Sequence, residues 1–400
     1  MKADYDVVVL GGGAAGLMCA LTAGKRGRRV LVMEKSNKLG KKILMSGGGR
    51  CNFTNLDIQP EHFICPNPHF VKSALHQYTQ WDFIQLVDEH DIPYQDKKHG
   101  QLFCQRSAKD ILNMLVHECE QAGVDVVLET EPSTISYHDN GRYHIETTNQ
   151  NLKVYADSLV LATGGLSIPS LGGSGFAYHH AKNCGVVVNP TEASLVPFTL
   201  TGRWQGVSQA LSGVSLPVVA SLPTQSFRED MLFTHRGLSG PAILQISNYW
   251  HNGDELMIDL LPDVDFGLEL NSIKQTKPNY ALSKVFTDHL PKSVALQFLH
   301  TLWPQCAGKL LHDIKNAQLN DIGHSINEWT LTPAGTEGYR TAEVTRGGIS
   351  VDEVSSKTMR AHLKNENLYI VGEALDVTGH LGGYNFQWAW SSGYVAGQNV

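Results

Sequence analysis

Charged and aromatic side chains are scarce in this 400-residue sequence, at 18% and 8% of all residues. The 32 Lys and Arg against 39 Asp and Glu give a net charge of −7, which argues against a protein that coats nucleic acid over its whole surface. No uninterrupted apolar run approaches the ~20 residues of a membrane helix, so no membrane partner is expected. The acidic start of the chain does not resemble a signal peptide.

Paired metal-ligating cysteines are absent as well. The seven cysteines are scattered and include no CxxC pair, which argues against a zinc ribbon or another metal site and against a disulfide framework. Free cysteines are typical of a reducing compartment, and we predict a cytoplasmic location.

A glycine-rich opening is the first informative segment that is present. The β-branched run at residues 5–10 is followed by Gly11, Gly13 and Gly16, and a helical spacing of apolar residues begins across these glycines. In dinucleotide-binding folds the first glycine allows a tight turn, the second lets the backbone approach a pyrophosphate, and the third lets the helix lie close to the strand. The N–H groups at the helix N-terminus then favour the negative phosphates.

An acidic residue in register supports the same prediction. The next predicted strand, residues 29–33, ends at Glu34, which stands 21 positions after Gly13, where an acid is expected to bind the adenosine ribose. A carboxylate there disfavours a 2′-phosphate, so the segment predicts FAD or NAD rather than NADP. The alternative is a glycine-rich structural turn that holds no ligand.

The following segments favour FAD. A nicotinamide dehydrogenase would continue with another βα unit, whereas residues 35–55 form a long glycine-rich polar loop suited to an extended flavin dinucleotide. Residues 159–165 and 368–373 repeat the strand-then-glycine pattern, and residues 382–390 read as a glycine turn that opens a final helix.

Four strings then carry a resemblance to a known family. They are SGGGRCNFTN at 46–55, FTHRGLSGP at 233–241, GTEGYRTAEVT at 335–345 and GGYNFQWAWSS at 382–392. With these strings the sequence resembles, over nearly its whole length, the BaiN/RdsA family of NAD(P)H/FAD-dependent oxidoreductases. The resemblance implies an FAD enzyme. No second dinucleotide fingerprint follows Gly16, so we expect NAD(P)H to be a transient reductant without its own Rossmann domain.

Composition and periodicity predict an α/β fold of three parts. We expect a discontinuous Rossmann-like FAD-binding domain, an inserted β-rich domain with short alternating runs, and a small helical domain. Their predicted bounds are 1–190 with 348–400, 191–262 with 331–347, and 263–330. Within the first domain, Thr79 with Asp82 three positions later predicts a helix start.

The resemblance also implies which residues hold the cofactor. The opening glycines and alanines would contact the FAD pyrophosphate, the acid after the second strand the adenosine ribose, and the last helix the N1/C2=O edge of the isoalloxazine. A helix N-terminus suits that edge because reduced flavin carries negative charge near N1. The predicted cofactor residues are Gly11, Gly13, Ala14, Ala15, Gly16, Glu34, Lys35, Lys42, Ser46, Pro132, Thr163, Gly164, Gly372, Glu373, Gly383, Tyr384, Asn385 and Phe386.

Two positions depart from the family pattern. Pro132 stands where relatives usually carry Val, and because proline lacks an N–H, it cannot donate a backbone hydrogen bond to adenine. His380 stands where relatives carry Trp; it is either a proton shuttle beside the flavin or a surface substitution.

Three residues are candidates for catalysis. Cys51 follows Arg50, whose charge is expected to lower the thiol pKa and ease proton donation; the alternative is a buried packing residue. His235 could bind an anionic or carbonyl group, or cap the following helix. Glu343 could face the site from a strand, or be a salt-bridged structural acid.

The resemblance implies a substrate as well: uridine in large-subunit ribosomal RNA, reduced to dihydrouridine. A local run of nine basic residues between Lys25 and Arg50 against one acid, Glu34, is compatible with a docked polyanion such as rRNA or its precursor particle. Some of these charges could instead hold FAD phosphate or lie on solvated helix surfaces. The alternatives are a small-molecule flavoenzyme and a non-catalytic FAD-binding redox-sensing or ribosome-assembly module.

Overall fold

The computed structural model describes residues 2–148, 152–364 and 366–400. The chain divides into two compact units: Met1–Ala193 with Glu343–Val400, and Ser194–Ala342.

The described α-helices are α1 (Ala14–Lys25), α2 (Lys41–Met45), α3 (Phe70–Gln77), α4 (Gln80–Glu89), α5 (Lys109–Gln121), α6 (Phe176–Asn183), α7 (Gly202–Ala210), α8 (Pro241–Ser247), α9 (Phe266–Thr276), α10 (Leu282–His289), α11 (Lys292–Leu302), α12 (Asn316–Asn327) and α13 (Tyr384–Asn399). The described strands are β1 (Lys2–Leu10), β2 (Val30–Met33), β3 (Asn52–Asn55), β4 (Phe63–Ile64), β5 (Tyr94–Asp96), β6 (Gln101–Cys104), β7 (Asp125–Val127), β8 (Pro132–Tyr137), β9 (Tyr143–Thr147), β10 (Lys153–Leu161), β11 (Val188–Ser194), β12 (Phe198–Thr199), β13 (Ser215–Leu222), β14 (Gln225–Phe233), β15 (Gly237–Ser239), β16 (Leu256–Asp259), β17 (Trp329–Leu331), β18 (Gly335–Thr336), β19 (Val344–Ile349), β20 (Leu368–Ile370) and β21 (Thr378–Gly379).

A sheet with a parallel centre organises the first unit. Its strand order is β7-β2-β1-β10-β9-β8, and β20 pairs with the C-terminal end of β10. β1 runs parallel to β2 and β10, with Val9 opposite Val32 and Val160. Val7, Val8 and Val9 are all fully buried. Both faces of β1 are therefore covered, which explains its unbroken β-branched run.

Helices α1 and α13 pack side by side in the same direction. Gly393 lies against Ala15, and Gly397 lies against Cys19, one turn further along each helix. A β-carbon at either glycine would overlap the backbone of α1, so these glycines permit the close approach. Because Tyr384 begins α13 nine residues before Gly393, the N-terminus of α13 extends ~14 Å beyond the level of Ala15.

Three consecutive glycines form a left-handed turn between α2 and β3. Gly47, Gly48 and Gly49 have φ of 55°, 65° and 83°, a conformation that only glycine adopts without strain. The N–H of Cys104 in β6 donates to the carbonyl of Arg50 at 2.9 Å, which fixes the turn beside the small sheet of β3, β6 and β5.

The second unit is built on an antiparallel sheet. Its strand order is β17-β16-β13-β14-β15-β12-β18. Along β13 the side chains of Leu216, Val218 and Ala220 are buried and alternate with more exposed neighbours, as expected for a sheet with one covered face.

The inserted strands and helices share one core, although the sequence analysis placed them in separate domains. Phe298 of α11 contacts Trp329 of β17 and Phe233 of β14, with ring centroids 5.1 and 6.5 Å apart. Periodicity distinguishes helix from strand but does not show which elements bury their apolar faces against each other. Within the described part of the chain, no helix has the length and apolar character needed to cross a membrane.

Candidate functional site

The glycine turn after β1 is shaped by close backbone contacts. Gly11 has φ of 108°, and a β-carbon there would lie 2.5 Å from the carbonyl oxygen of Ala162. A β-carbon at Gly16 would overlap the Gly11 carbonyl, whereas one at Gly13 would meet no atom within 4 Å. Two glycines therefore permit packing within the protein, and Gly13 faces open space.

The N-terminus of α1 is left without a side-chain cap. Gly13 is its N-cap residue and supplies no side-chain acceptor for the first N–H groups, which belong to Ala14 and Ala15. Glu34 is oriented beside this end, because its carboxylate accepts from the N–H of Gly12 at 2.8 Å and from that of Ser36 at 2.7 Å. Uncapped donors next to an oriented carboxylate are the donor and acceptor set that a phosphate and a ribose require.

A buried hydroxyl without a partner supports the same fit. Thr163 Oγ1 is buried and has no hydrogen-bond partner among the described residues. It precedes Gly164, whose φ is 71°, and it follows Ala162, the residue that Gly11 approaches most closely. A buried polar atom without a partner is costly unless a ligand or water satisfies it. The residues around α1 thus fit a dinucleotide.

A half-buried charge cluster stands beside this turn. Lys42 Nζ lies 2.7 Å from Glu373 Oε2, and the Glu373 carboxylate also accepts from Ser167 Oγ at 2.5 Å and from the N–H of Thr345 at 3.0 Å. Burial opposes ionisation of Glu373, but the charge of Lys42 and these hydrogen bonds outweigh it and lower the Glu373 pKa. The carboxylate is therefore held charged by the protein itself. The predicted contact of Glu373 with the ribityl chain stays a prediction.

The N-terminus of α13 also has no side-chain cap. Gly383 is its N-cap, with φ of 96° and no side-chain acceptor. The Asn385 side chain accepts from the N–H of Gly379 at 2.8 Å and donates to its carbonyl at 2.9 Å, which fixes the preceding turn. Phe386 stacks on Trp390 at 5.5 Å. The first N–H groups of α13, like those of α1, are available to a ligand that carries negative charge.

His380 belongs to an aromatic cluster at this end of α13. The residue is only 8% exposed, and its ring lies 5.7 Å from that of His62, which in turn lies 4.8 Å from that of Tyr384. Burial, reinforced by His62, lowers the pKa of His380 to about 4. The surface-substitution reading is therefore wrong, and a histidine that stays neutral at pH 7 is a poor proton donor. Burial and Asp57 raise the pKa of Tyr384 to about 12.

The expected low pKa of Cys51 is also wrong. Its side chain is fully buried, and desolvation raises the thiol pKa well above its ordinary value, against the effect of a hydrogen bond from Ser46. Arg50 is exposed and does not offset this burial. Loss of hydration outweighs a neighbour in sequence whose side chain points to solvent, so Cys51 acts as a packing residue.

The other two catalytic candidates lie in different units. His235 is exposed at the tip of the β14–β15 turn in the second unit, where the Thr234 hydroxyl accepts from the N–H groups of Arg236 and Gly237. A strand follows this turn, so His235 does not cap α8.

Glu343, at the start of the second segment of the first unit, combines solvent access with a perturbed pKa. Its side chain is exposed, yet desolvation raises the carboxyl pKa to about 7. Among the described residues it has no ion pair, so the salt-bridge alternative finds no support.

Three predicted cofactor residues show less specific surroundings. Lys35 is exposed, and the Ser46 hydroxyl donates to the carbonyl of Ile43 at 2.7 Å. Pro132 begins β8 and pairs with Thr147. Gly372, by contrast, is held by α13, because Trp388 Nε1 donates to its carbonyl at 3.1 Å and its N–H donates to Ser392 Oγ at 3.0 Å.

Ser167, Thr345 and His62 were not among the residues predicted from the sequence to form the site. Thr345 lies in one of the strings that carry the resemblance, and its hydroxyl accepts from the N–H groups of Leu166 and Ser167. The segment 335–345 pointed to this position, but the sequence does not show which groups bond to the Thr345 hydroxyl. No pattern in the sequence marks His62 as a site residue. It lies beside His380 because β4 pairs with β21, two strands that are far apart in the sequence.

Comparison with known proteins agrees with this geometry. A family model described as "HI0933-like protein Rossmann domain" matches residues 5–399. The chain is 47% identical to the ribosomal RNA dihydrouridine synthase of Escherichia coli K12, over 99% of this chain and 98% of that protein. It is 45% identical to the enzyme of the same name from Haemophilus influenzae Rd, over 100% and 99%.

A solved structure shares the fold at low sequence identity. The 3-ketosteroid-Δ4-(5α)-dehydrogenase from Rhodococcus jostii RHA1 superimposes with a TM-score of 0.51 at 16% identity, over 99% of this chain and 97% of that chain. These findings confirm the predicted Rossmann-type FAD-binding α/β fold and the family resemblance.

Proposed function

This chain belongs to the HI0933-like family and is an FAD-dependent oxidoreductase, and from that premise we propose that it reduces uridine in large-subunit ribosomal RNA to dihydrouridine, with NAD(P)H as hydride donor. The observation that carries the proposal is full-length similarity to two enzymes named for this reaction. The open N-terminus of α1 beside the Glu34 carboxylate, and the Thr163 hydroxyl that has no partner among the described residues, support the cofactor part of it.

FAD, when bound, supplies hydride transfer to the substrate. The chain's own residues would bind and orient it. The N–H groups of Ala14 and Ala15 would hold the pyrophosphate, Glu34 the adenosine ribose, and Thr163 would gain the partner that its hydroxyl lacks. The N–H groups after Gly383 would stabilise negative charge at the pyrimidine edge of the flavin.

Glu343 is the residue that we propose as the proton source. Its pKa of about 7 leaves about half of the carboxyl protonated at neutral pH, which suits a general acid. It lies two residues before Thr345, whose N–H donates to Glu373 in the charge cluster. Reduction of a C=C bond needs one hydride and one proton, and solvent-side access would let Glu343 deliver the proton to substrate.

The direct test of the reaction is mass spectrometry of rRNA nucleosides. Purified protein with FAD and NAD(P)H should convert uridine to dihydrouridine in a large-subunit rRNA transcript, and a strain that lacks the gene should lose that modification. Unchanged dihydrouridine in the deletion strain, or peroxide formation with no dependence on RNA, would instead support a small-molecule oxidase.

The pH profile tests Glu343. For the native enzyme we expect kcat/KM to fall above pH 7 as the carboxyl loses its proton. Glu343→Gln should lower kcat at least tenfold and remove this limb, and Glu353→Gln, the same change in the same unit, should do neither. A Glu343→Gln profile that keeps the limb would assign the ionisation to another group.

A further inference from the structure

We propose that six basic residues around the three-glycine turn bind the phosphodiester backbone of the RNA; the inference rests on the proposed function. This turn surface consists of Lys38, Lys41, Arg50, Lys97, Arg106 and Lys109. All are exposed except Lys41, which is half-buried.

Three contacts gather these residues, which are distant in sequence, around the turn. The Phe103 ring lies against Gly47, and Lys97 Nζ lies 4.0 Å from the centre of that ring. The N–H of Ala108 donates to the carbonyl of Gly49 at 2.8 Å, which brings the start of α5 and its first residue, Lys109, to the turn.

The other end of the surface is fixed by α2 and α5. Leu112 on α5 packs against Gly40, which caps α2 and stands between Lys38 and Lys41. The packing holds the charges of both segments near one another without neutralising them.

The charges of the turn surface are largely uncompensated. Arg106 pairs with Asp110 at 3.3 Å, and Asp96 is an exposed acid next to Lys97. Among the described residues, no ion pair involves the other five basic residues of the surface. A patch with six basic and two acidic side chains therefore stands on a chain whose net charge is −7, as expected for docking of a polyanion at one place.

Other basic residues nearby in sequence behave differently. Lys25 pairs with Glu118, Arg29 with Asp6 at 3.1 Å, and Arg26 donates to the carbonyls of Gly397 and Val400. The basic run that the sequence shows is thus divided by the structure. One part forms bonds within the protein, and the other combines with Lys97 and Arg106, on either side of β6, and with Lys109 of α5 to form the turn surface.

The centre of the turn surface suits a nucleic acid rather than a small anion. Met45 is 63% exposed, and β-carbons at Gly48 and Gly49 would meet no protein atom within 4 Å. An apolar, adaptable side chain and open backbone surrounded by cations can accept a base while the cations contact phosphates.

The test is the salt dependence of binding to a large-subunit rRNA transcript. The variant Lys38→Glu/Lys97→Glu/Lys109→Glu should weaken binding at 0.1 M salt by roughly tenfold or more and reduce the slope of log K against log salt by about 2, since each phosphate contact contributes about 0.7–0.9. The control Lys72→Glu/Lys292→Glu changes exposed lysines elsewhere and should leave both values unchanged.

Flavin absorbance and the melting temperature verify that the variants fold. A second measurement uses the unmodified protein: bound transcript should protect Lys38, Lys97 and Lys109, but not Lys72, from acetylation. If the triple variant keeps the native RNA affinity and salt slope, the turn surface does not bind RNA. A raised KM for NAD(P)H with unchanged RNA binding would lead to the same conclusion, and in both cases the proposed dihydrouridine reaction would be unaffected. Failure of the native enzyme to bind or modify RNA would overturn the proposed function with it.

Discussion

The first turns of α1 and α13 in the first unit differ from the first turn of α9 in the second. Both helices of the first unit begin at glycines that offer no side-chain acceptor. Helix α9 begins at Asp265, whose carboxylate accepts from the N–H of Leu268 at 3.0 Å. The chain satisfies the donors of one helix itself and leaves those of the other two available.

A missing side-chain cap is not by itself a mark of a ligand site, because other described helices, among them α5 and α11, lack one as well. Helix α4, in the same unit, has a complete capping box in which Thr79 and Asp82 bond each other's backbone. What distinguishes α1 is that its glycine N-cap faces open space beside the oriented carboxylate of Glu34, where an anionic ligand can supply the missing acceptor.

Giving α1 a cap like that of α9 should produce the largest effect. Gly13→Asp has room, because a β-carbon there meets no atom within 4 Å. We expect stability of the protein without FAD to rise by a few tenths of a kcal/mol. FAD affinity should fall about 100-fold, because the new carboxylate repels the pyrophosphate. Calorimetric titration with FAD measures the affinity.

The matched control is Gly13→Asn, which adds a neutral cap of the same shape. Its loss of FAD affinity should be clearly smaller than that of Gly13→Asp. Equal losses would show that bulk, not charge, matters at this position, and the contrast between the helix ends would lose its electrostatic basis.

The Lys42–Glu373 pair is the opposite case within the first unit, because here protein side chains, rather than a ligand, neutralise a charged group. Lys42→Met should reduce the free energy of unfolding at pH 7 by about 2 kcal/mol. This loss is smaller than that expected for a fully buried ion pair, because solvent reaches both groups. Lys41→Met, next to it, should change little.

The pH dependence of that loss has a defined sign. The folded-state pKa of Glu373 is lowered from 4.5, so the pair stabilises the protein above pH 4.5, and the effect disappears as the pH falls through the folded pKa. Denaturant unfolding at pH 7 and pH 3.5 should show the two proteins converging in acid. A pH-independent difference would mean that the ion pair is not its source.

Removing the cap of α9 is the converse change. Asp265→Ala should cost about 1 kcal/mol of stability, while Asp265→Asn should retain most of the cap. FAD content should be unchanged in both variants. Loss of FAD from Asp265→Ala would show that the second unit also affects FAD binding. The comparison of helix ends would then be incomplete.

Substitution of Pro132 should have the smallest effect, because it changes a single backbone hydrogen-bond donor in the first unit. Pro132→Val restores an N–H and should slow FAD dissociation about threefold. Pro132→Ala should act likewise, because the N–H and not the side chain is responsible. Faster dissociation from both variants would show that the proline helps to shape the site. Stopped-flow fluorescence of released FAD measures the rate.

Local patterns were sufficient to predict the elements that we propose to hold the cofactor. The strand, glycines and helix around Gly11, and the capping box at Thr79, follow from interactions within a few residues. The expected low pKa of Cys51 and the surface position of His380 were wrong, because burial sets both pKa values and burial depends on distant segments. The shared core of strands and helices in the second unit was missed for the same reason.

The sequence by itself determined that a β-strand, a glycine turn and a helix open the chain and that a glycine-capped helix closes it, because backbone conformation and capping are local properties. Only the tertiary structure decided that the two helices run side by side with offset ends, that Lys42 meets Glu373, and that basic residues from three segments surround one turn. Those contacts depend on which surfaces are buried together, and no short stretch of sequence records that.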